Sequence, residues 1–431
     1  MSAPRRRAAI ARSVAAVALT TALAAAAGPA GGAADDAFMP VGERVHLRPA
    51  DLPPPYATPS AANPPERVAR PPGTVPLAPP GFRVNLFAGG LDHARWLAVG
   101  REGDVFLAEP RAGRVTVLRD EDGDGAAEVR AAWADGLTAP HGLALREGYL
   151  YVAEPSRVWR FPYRPGARRA AGPAQPVTGA SALGDGAGHW TRNIAFGPAG
   201  GPYAGEFFVT VGSRGNVAEE PLPRATVQRF APAAGGGWRQ TTFASGLRNP
   251  VGIAFHPETG DLYVVVNERD GLGDGLVPDY LARLAPGAFY GWPYAYLGPN
   301  PDPDYGRLRP DMVARTRVPE VLFRAHSAPL GLVFYDRDRF PADYRGDAFV
   351  ALHGSWNAAR PTGYAVVRVP FRDGRPLGWY ETFLSGFWLA GAERARVWGR
   401  PVGLAVAADG SLLVADDVSQ SVWRVTYGEP R

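Results

Sequence analysis

The chain has 431 residues, of which 46% are hydrophobic and 20% are charged, and it contains 53 glycines and 44 prolines. Its net charge of +4 is carried by arginine, because lysine is absent, and the basic residues form no block, which argues against nucleic-acid binding and membrane-surface binding. Cysteine is also absent, which excludes disulfides, thiolate nucleophiles, zinc–cysteine sites and haem attached through CxxCH.

The first 30 residues are predicted to be an export signal peptide. Four arginines (Arg5, Arg6, Arg7 and Arg12) precede an apolar run over 14–27, which ends in small residues with several Ala-x-Ala cleavage points. A membrane anchor is the alternative, but the run is short for a spanning helix. We therefore expect a periplasmic or secreted protein with no stable membrane insertion after signal cleavage.

Residues 31–80 are predicted to form a proline-rich arm. Prolines recur here as Pro53, Pro54, Pro55, Pro64, Pro65, Pro71 and Pro72. Such a composition favours extended backbone over packed helices or strands. The segment is therefore interpreted as a linker or as an arm that wraps around the following domain.

Residues 81–431 are organised by a pattern that recurs six times. Each copy has a short step of small and apolar residues, then a turn, then an apolar strand. The steps are centred on Leu97, Leu143, Ile194, Ile253, Leu332 and Leu404, and they are 46 to 79 residues apart. Four strands with tight turns need about 40–50 residues, which is the period of a propeller blade. The sequence therefore predicts an all-β protein, a six-bladed β-propeller, with insertions in the fourth and fifth blades.

Histidine and arginine recur just before the repeated step. They occur as Arg95, His141, His189 with Arg192, Arg248 with Asn249, His326, and Arg400. In a propeller the innermost strands line one channel, and equivalent loops meet at one face. These side chains are therefore expected to converge on a common site although they are far apart in the chain.

Four stretches carry a family resemblance that covers about residues 80–427. They are 246–252 (GLRNPVG), 267–293 (ending in YGWP), 353–357 (HGSWN) and 398–403. In these motifs the chain resembles the soluble quinoprotein dehydrogenases that use pyrroloquinoline quinone (PQQ), especially the sorbosone and aldose sugar dehydrogenase branch. The resemblance implies oxidation of an aldose or hydroxy-aldehyde by hydride transfer to PQQ, with calcium as a second cofactor and a quinone or cytochrome as electron acceptor.

The resemblance also implies roles for individual residues. His189 matches the family's general base, and Arg248 matches the arginine that stabilises charge on the quinone oxygen. Asn249, Arg400, Arg192 and His141 are predicted cofactor contacts. Arg360 is placed with them as a replacement for the family's lysine, which this chain lacks. Gly188 stands where glucose-using members have an acidic residue, which argues against glucose itself as the substrate.

Two calcium positions are predicted. The resemblance implies that the backbone carbonyls of Glu268 and Arg269 bind the ion that polarises the quinone. A second candidate is the loop with Asp120, Asp122 and Asp124, followed by Gly125, which resembles the first half of a calcium-binding loop. Ala131 stands at the twelfth position, where such loops have glutamate, so a solvated hairpin turn explains these aspartates equally well.

Two other function classes fit the predicted fold. A metal-dependent lactonase-type hydrolase could use a metal held by Glu154, Asn193, Asn249 and Asp416. A scaffold that only binds partners is also compatible with a propeller. Lining by histidine and arginine argues against the scaffold, because a channel without chemistry would be apolar, and the hydrolase remains the alternative to the dehydrogenase.

Overall fold

A computed structural model describes residues 38–428, and within them the chain is almost entirely β-structure. Helix is limited there to α1 (Pro310–Arg315) and to 3-10 turns at Pro49–Asp51, Gly306–Leu308 and Ala342–Tyr344. This confirms the predicted all-β class. The predicted signal peptide lies outside the described residues. No helix in this range is long and apolar enough to cross a membrane.

The described part of the arm is mostly extended and contributes short strands to the body. It contains β1 (Arg44–Val45) and β2 (Glu66–Arg67), and the chain then enters β3 (Phe82–Ala88). Proline restricts backbone torsions and cannot donate a ladder hydrogen bond, so only two-residue strands form in this region.

The first three sheets follow one another in chain order. Sheet one contains β4 (Trp96–Val99), β5 (Val105–Glu109), β6 (Arg114–Arg119) and β7 (Val129–Ala134). Sheet two contains β8 (Leu143–Arg146), β9 (Tyr149–Ala153), β10 (Val158–Pro162) and β11 (Gln175–Pro176). Sheet three contains β12 (Ile194–Phe196), β13 (Phe207–Val211), β14 (Thr226–Pro232) and β15 (Trp238–Ser245).

The fourth sheet carries a long insertion before its last strand. It contains β16 (Asn249–Phe255), β17 (Leu262–Asn267), β18 (Pro278–Arg283) and, later in the chain, β22 (Val321–Ala325). Between them β19 (Ala288–Phe289) joins the edge of sheet three, and β20 (Ala295–Tyr296) pairs with β21 (Asn300–Pro301).

The last two sheets incorporate strands from the start of the chain. Sheet five contains β23 (Pro329–Phe334), β24 (Ala348–Leu352), β25 (Ala365–Val369) and β28 (Tyr380–Leu384), with β1 at its edge. Sheet six contains β31 (Pro401–Val406), β32 (Leu412–Asp416), β33 (Ser421–Tyr427) and β3. Within sheet five, the pair β26 (Phe371–Arg372) and β27 (Arg375–Pro376) falls between β25 and β28. Between the two sheets, β29 (Trp388–Ala390) pairs with β30 (Arg396–Val397), which also pairs with β2. The pairing of β3 with β33 joins the beginning of the domain to its end.

The six predicted repeats are the first two strands of these six sheets. Their anchors pair as expected across each antiparallel ladder: Leu97 with Leu107, Leu143 with Val152, Ile194 with Val209, Ile253 with Val264, Leu332 with Val350 and Leu404 with Val414. The second strands are almost wholly buried, because each is covered on both faces by neighbouring sheets. Because both faces are buried, the second strands are continuous apolar runs and do not alternate between apolar and polar residues.

Packing runs from each sheet to the next and returns from the sixth to the first. Alternate residues of one strand face opposite sides, so Phe106 contributes to a core with sheet two and Leu107 to a core with sheet six. Cores of the same kind join sheets two and three, three and four, four and five, and five and six. This cyclic order is consistent with a β-propeller.

Glycine in the repeated step reflects close contact between first strands. A Cβ atom on Gly403 would lie 2.2 Å from the carbonyl oxygen of Arg95 in the next sheet, and one on Gly331 would lie 2.3 Å from that of Val402. Gly142 and Gly252 are equally crowded by the neighbouring strand. The first strands therefore approach one another more closely than a side chain at these positions would allow.

Candidate active site

A cavity of about 480 Å³ opens where the first strands begin. Five residues predicted for the site line it: His189, Arg248, Asn249, Glu268 and Arg400. Their positions come from three different sheets and the loops that precede them. The predicted convergence of His189, Arg248 and Arg400 on one cavity is therefore observed, while the chemical roles assigned to them remain predictions.

His189 presents one ring nitrogen to the cavity in a defined protonation state. Its Nδ1 lies 2.9 Å from the carbonyl oxygen of Ser213 and 3.0 Å from the Oγ of the same serine. Because a carbonyl oxygen only accepts, Nδ1 must carry the proton. Nε2 then carries the lone pair, and it has no hydrogen-bond partner among residues 38–428. Burial, together with the charge of Arg248, lowers the pKa of His189 to about 4, so the ring is neutral at pH 7.

Arg248 is held by backbone carbonyls and one carboxylate. Its Nε donates to the carbonyl oxygen of Asn216 (3.0 Å), and Nη1 donates to that of Glu268 (2.7 Å). Nη2 lies 3.2 Å from Oδ2 of Asp270, with which it forms an ion pair. The charge of Arg248 is therefore partly balanced within the protein by Asp270.

Arg400 has a different environment. Its Nε and Nη2 donate to the carbonyl oxygens of His353 (2.8 Å) and Gly354 (2.6 Å), and its guanidinium carbon lies 5.6 Å from the centre of the Tyr364 ring. No carboxylate among the described residues lies within ion-pairing distance of it. Burial lowers the pKa of Arg400 from its usual value. A buried cation anchored only by neutral groups is suited to binding an anion that enters the cavity.

A hydrogen-bonded acid–base cluster lies beside Arg400. Asp417 pairs with Nη1 of Arg95 (2.7 Å) and with Nε2 of His353 (3.0 Å). Burial alone would raise the pKa of Asp417, but its contacts with His353, His93 and Arg95 hold that pKa well below the usual range. Burial and the charge of Arg400 lower the pKa of His353 to about 4. Arg95 and His353 line the cavity.

Carboxyl groups line the side of the cavity next to Arg248. Burial raises the pKa of Glu268 to about 7 and that of Asp279 to about 6. Asp270 is also desolvated, but hydrogen bonding to His326 and the charge of Arg248 keep its pKa below the usual value. Oε1 of Glu268 and Oδ1 of Asn249 are buried without a hydrogen-bond partner in the described chain. Both residues line the cavity, and a buried acceptor without a partner is a place where a ligand, an ion or a water molecule can complete the hydrogen bonding.

Three predicted cofactor contacts lie elsewhere. Arg192 is fully buried in the wall and donates to the carbonyl oxygens of His189 (2.7 Å) and Thr191 (2.8 Å), so it supports the loop rather than the cavity. His141 is buried against Asn193, with 3.0 Å between Nδ1 and Oδ1. Arg360 is exposed outside the cavity lining. Sequence position alone did not distinguish these side chains from those that reach the cavity.

The predicted calcium positions differ in their surroundings. The carbonyl oxygen of Glu268 already accepts a hydrogen bond from Arg248, and the side chain of Arg269 is paired with Asp302. Ligand atoms of Asp120, Asp122, Asp124 and Glu128 lie within 4.8 Å of one another, so the loop gathers four carboxylates. Each of them also accepts a backbone N–H hydrogen bond, as a solvated turn does. Asp120 and Asp124 line a separate cavity, away from His189.

The residues considered for a lactonase metal are engaged separately. Glu154 accepts from the backbone N–H of Thr138 (2.6 Å) and from the Trp159 indole (2.9 Å), and Asp416 accepts from the backbone N–H of Arg400 (2.9 Å). Among the described residues, one group of three or more His, Asp or Glu side chains is close enough together to hold a metal ion, namely the cluster around Asp120, and neither Glu154 nor Asp416 belongs to it.

Several cavity residues were assigned no role from the sequence. Arg95 and His326 were expected at the common site from their place before the repeated step, and both line the cavity. The others without an assigned role are Trp190, Asp270, Asp279, His353, Trp356 and Asn357. The histidines and Arg95 carried a usable signal, since they follow the same register as the predicted residues. The carboxylates carried none, because single aspartates in loops are common and only folding shows which of them face inward.

Comparison with known proteins identifies related sequences over most of the chain. A family model described as TrAA12-like matches residues 76–277 and 311–428. The chain is 25% identical over 412 residues to a pyrroloquinoline quinone-dependent pyranose dehydrogenase of Coprinopsis cinerea, an alignment that covers 80% of this chain and 53% of that protein. The chain spans about half the length of the curated relatives that it matches.

Solved structures share the fold. The holo form of the PQQ domain of the Coprinopsis cinerea pyranose dehydrogenase matches with a TM-score of 0.67 at 22% identity, covering 83% of this chain and 98% of that one. The calcium structure of the Trichoderma reesei family AA12 enzyme matches with a TM-score of 0.67 at 21% identity, covering 82% and 97%. Together with the family model, these matches confirm the resemblance predicted from the motifs.

Proposed function

The chain belongs to the TrAA12-like family, and on that premise we propose that it is a PQQ-dependent dehydrogenase that oxidises an aldose, pyranose or related hydroxy-aldehyde. One observation carries the proposal: His189, whose Nε2 is unprotonated, and Arg400, which forms no ion pair among the described residues, line the same cavity. The first can take a proton, and the second can hold an anion.

The residues present fit PQQ. Bound PQQ would supply a quinone that accepts the hydride, and its carboxylates would need cationic partners. Arg400 offers a buried guanidinium that forms no ion pair among the described residues, whereas Arg95 on the same side is already paired with Asp417. Asn249 contributes a buried amide oxygen that lacks a partner. We assign Arg400 and Asn249 to the cofactor, while Arg192, His141 and Arg360 lie outside the lining.

His189 would act on the substrate hydroxyl. Oxidation at C1 breaks the O–H bond as hydride leaves the carbon, and Nε2 can accept that proton because Ser213 holds the ring with Nδ1 protonated. Arg248 lies close enough to depress the pKa of His189, and it places positive charge beside the reacting centre. Gly188 stands immediately before the base, where an acidic residue would place a carboxylate, so the proposed substrate is an aldose other than glucose.

Calcium is proposed as the second cofactor. The cavity offers oxygen atoms of the kind that calcium prefers, including the unpartnered Oε1 of Glu268 and the carboxylate of Asp270. Carboxylates with raised pKa values would ionise fully beside a divalent cation. The loop around Asp120 is a second candidate position whose backbone hydrogen bonds make it self-sufficient without an ion.

Three further proposals complete this function. Each of the six sheets is taken as one blade of a propeller, with the cavity at the mouth of its central channel. Electrons are taken to leave for a quinone or cytochrome acceptor. The arginine-led apolar segment over residues 1–30 supports export to the periplasm or beyond the cell.

Reconstitution tests the proposal. The purified apoprotein with added PQQ and calcium is expected to reduce an electron-accepting dye when supplied with members of an aldose panel. His189→Gln should still bind PQQ but should lose about 10²- to 10⁴-fold in turnover, the usual contribution of a general base. His256→Gln is the matched control, because His256 lies outside the cavity lining. Absence of sugar-dependent dye reduction with every aldose would contradict the proposal.

A further inference from the structure

We propose that residues 56–63 of the N-terminal arm are a positioning strap for the rim of the cavity, an inference that rests on the proposed function. Two loops form this part of the rim: the first rim loop is 270–275 and the second rim loop is 353–360. Both carry side chains that line the cavity, namely Asp270 on the first and Trp356 and Asn357 on the second. The strap bonds to both loops.

The strap holds the first rim loop through backbone groups. Oγ1 of Thr58 accepts a hydrogen bond from the backbone N–H of Asp274 (2.8 Å), and Oγ of Ser60 accepts one from Gly273 (3.2 Å). The backbone N–H of Tyr56 donates to the carbonyl oxygen of Leu272 (2.8 Å). These hydrogen bonds satisfy backbone donors and acceptors of the first rim loop, which contains no strand or helix of its own.

Gly273 shows how close this contact is. Its φ is +109°, and a Cβ atom there would lie 2.7 Å from the carbonyl oxygen of Thr58. Any side chain at this position would displace the strap or the loop. The two segments are therefore built to lie against each other, and the contact is not a loose surface encounter.

Asn63 holds the second rim loop. Its backbone N–H donates to the carbonyl oxygen of Trp356 (2.7 Å), and its side-chain amide donates to that of Ala358 (3.0 Å). The same amide lies 2.6 Å from the carbonyl oxygen of Glu393. Trp356 is 52% exposed at the cavity mouth, so its indole is positioned by this backbone anchor more than by side-chain packing.

The two rim loops are also bonded to each other next to the cavity. Oδ1 of Asp274 accepts from the backbone N–H of Ala359 (2.8 Å), and the amide of Asn357 donates to Oδ1 of Asp270 (2.6 Å). His326 completes the link, since its Nε2 lies 3.2 Å from the carbonyl oxygen of Gly273. Displacement of the strap would therefore move Asp270 and Asn357, which line the cavity.

Proline makes the strap stiff. Pro53, Pro54 and Pro55 precede it, and Pro64 and Pro65 follow it, so the backbone on both sides of the strap has fixed φ angles. A restrained segment loses less conformational entropy when it docks. We therefore assign Thr58 and Asn63 as positioning residues that set how well the rim holds substrate, without contacting the reacting atoms.

The test compares isosteric variants of the full chain. Thr58→Val removes the Oγ1 acceptor, Thr58→Ser keeps it, and Asn63→Asp replaces the amide donor with an acceptor that faces carbonyl oxygens. Hydrogen–deuterium exchange on the apoprotein should show the amides of 271–274 exchanging roughly five- to tenfold faster in Thr58→Val, and those of 356–360 in Asn63→Asp. Glu66→Gln is the control, because it changes only an exposed ion pair with Arg396 on the same arm.

Kinetics separate positioning from a general structural role. In the reconstituted enzyme, Thr58→Val and Asn63→Asp should raise KM severalfold for the best aldose while kcat stays within about twofold, and Thr58→Ser should restore KM. Unchanged exchange in both loops with unchanged KM would overturn the inference, as would an equal fall in kcat for all variants. Exchange that responds as expected in a protein that binds no PQQ would leave the strap intact and remove the proposed function instead.

Discussion

On each side of the cavity an arginine is held by backbone carbonyl oxygens, but only one of the two arginines is also paired with a carboxylate. Arg248 and Arg400 both donate to backbone carbonyl oxygens, yet Arg248 also pairs with Asp270 while Arg400 pairs with no carboxylate of the described chain. A guanidinium held by neutral groups keeps its charge available for an incoming anion. A guanidinium paired with a carboxylate mainly shifts the pKa values of neighbouring groups. Similar sequence positions therefore leave the two guanidinium groups with different charge balance.

Replacement of Arg400 should have the largest effect on this comparison. Arg400→Met removes charge-assisted hydrogen bonds worth roughly 1.5–3 kcal/mol to an anion, so the Kd for PQQ should rise about 10- to 100-fold. Titration of PQQ into the apoprotein with calcium, followed by tryptophan fluorescence, measures it.

Two variants serve as references for that titration. Arg248→Met should weaken PQQ binding less than Arg400→Met does, because its charge is partly neutralised by Asp270. Arg239→Met, at an exposed position on β15, should leave the Kd unchanged. Equal losses for Arg248→Met and Arg400→Met would show that ion pairing within the protein does not distinguish the two sides.

The buried carboxyl group of Glu268 should make the free energy of unfolding depend on pH. Burial raises the pKa of Glu268 from 4.5 to about 7, so on raising the pH the unfolded chain ionises first and the folded protein loses stability until about pH 7. Glu268→Gln has no charge to bury. The difference in unfolding free energy between this variant and the wild type should therefore grow in the variant's favour by roughly 2 to 3 kcal/mol between about pH 5 and pH 8.

Urea unfolding of the calcium-free apoprotein measures that difference. Asp261→Asn, which removes a half-buried carboxylate outside the cavity lining, is the control. Parallel pH profiles for Glu268→Gln and the wild type would mean that Glu268 is not desolvated in solution.

The smallest expected effect is on the pKa of His189, which the charge of Arg248 lowers. Burial and then the charge of Arg248 hold the pKa of His189 near 4. Removing that charge in Arg248→Met should raise the pKa by up to about one unit, because burial remains. An NMR titration of the imidazole protons in the apoprotein reports it, with the His189 signal assigned from His189→Gln. Arg400→Met should leave the pKa of His189 unchanged. A shift of equal size in both variants would show that the two arginines affect His189 equally.

Much of the fold was predictable from local pattern. The six repeated steps identify the first two strands of every sheet, since an apolar run covered on both faces needs residues such as Leu332 and Val350 wherever the packing recurs. Glycines such as Gly331 and Gly403 marked the places where strands come closest. The insertion between β18 and β22 was visible as a longer repeat, but its attachment to sheet three through β19 was not, because a two-residue pairing leaves no pattern.

Site residues could be predicted from the repeat only where they stand shortly before the repeated step. His189 and Arg248 stand five residues before their anchors, and Arg400 stands four before its anchor. His141 and Arg192 stand two residues before theirs, and the structure buries them in the wall. Closeness to the repeated step therefore did not decide which side chains line the cavity. Asp270 and Asp417 could not be chosen from the other loop aspartates, because their partners are distant in the chain.

By itself the sequence determined the all-β class, the repeated sheets and the residue types available at their corners, since these depend on local polarity and spacing. Only the tertiary structure decided which arginine keeps an unbalanced charge, which nitrogen of His189 is free and where the arm is bonded. These properties depend on distances of a few ångströms between residues far apart in the chain, and local pattern carries no information about such distances.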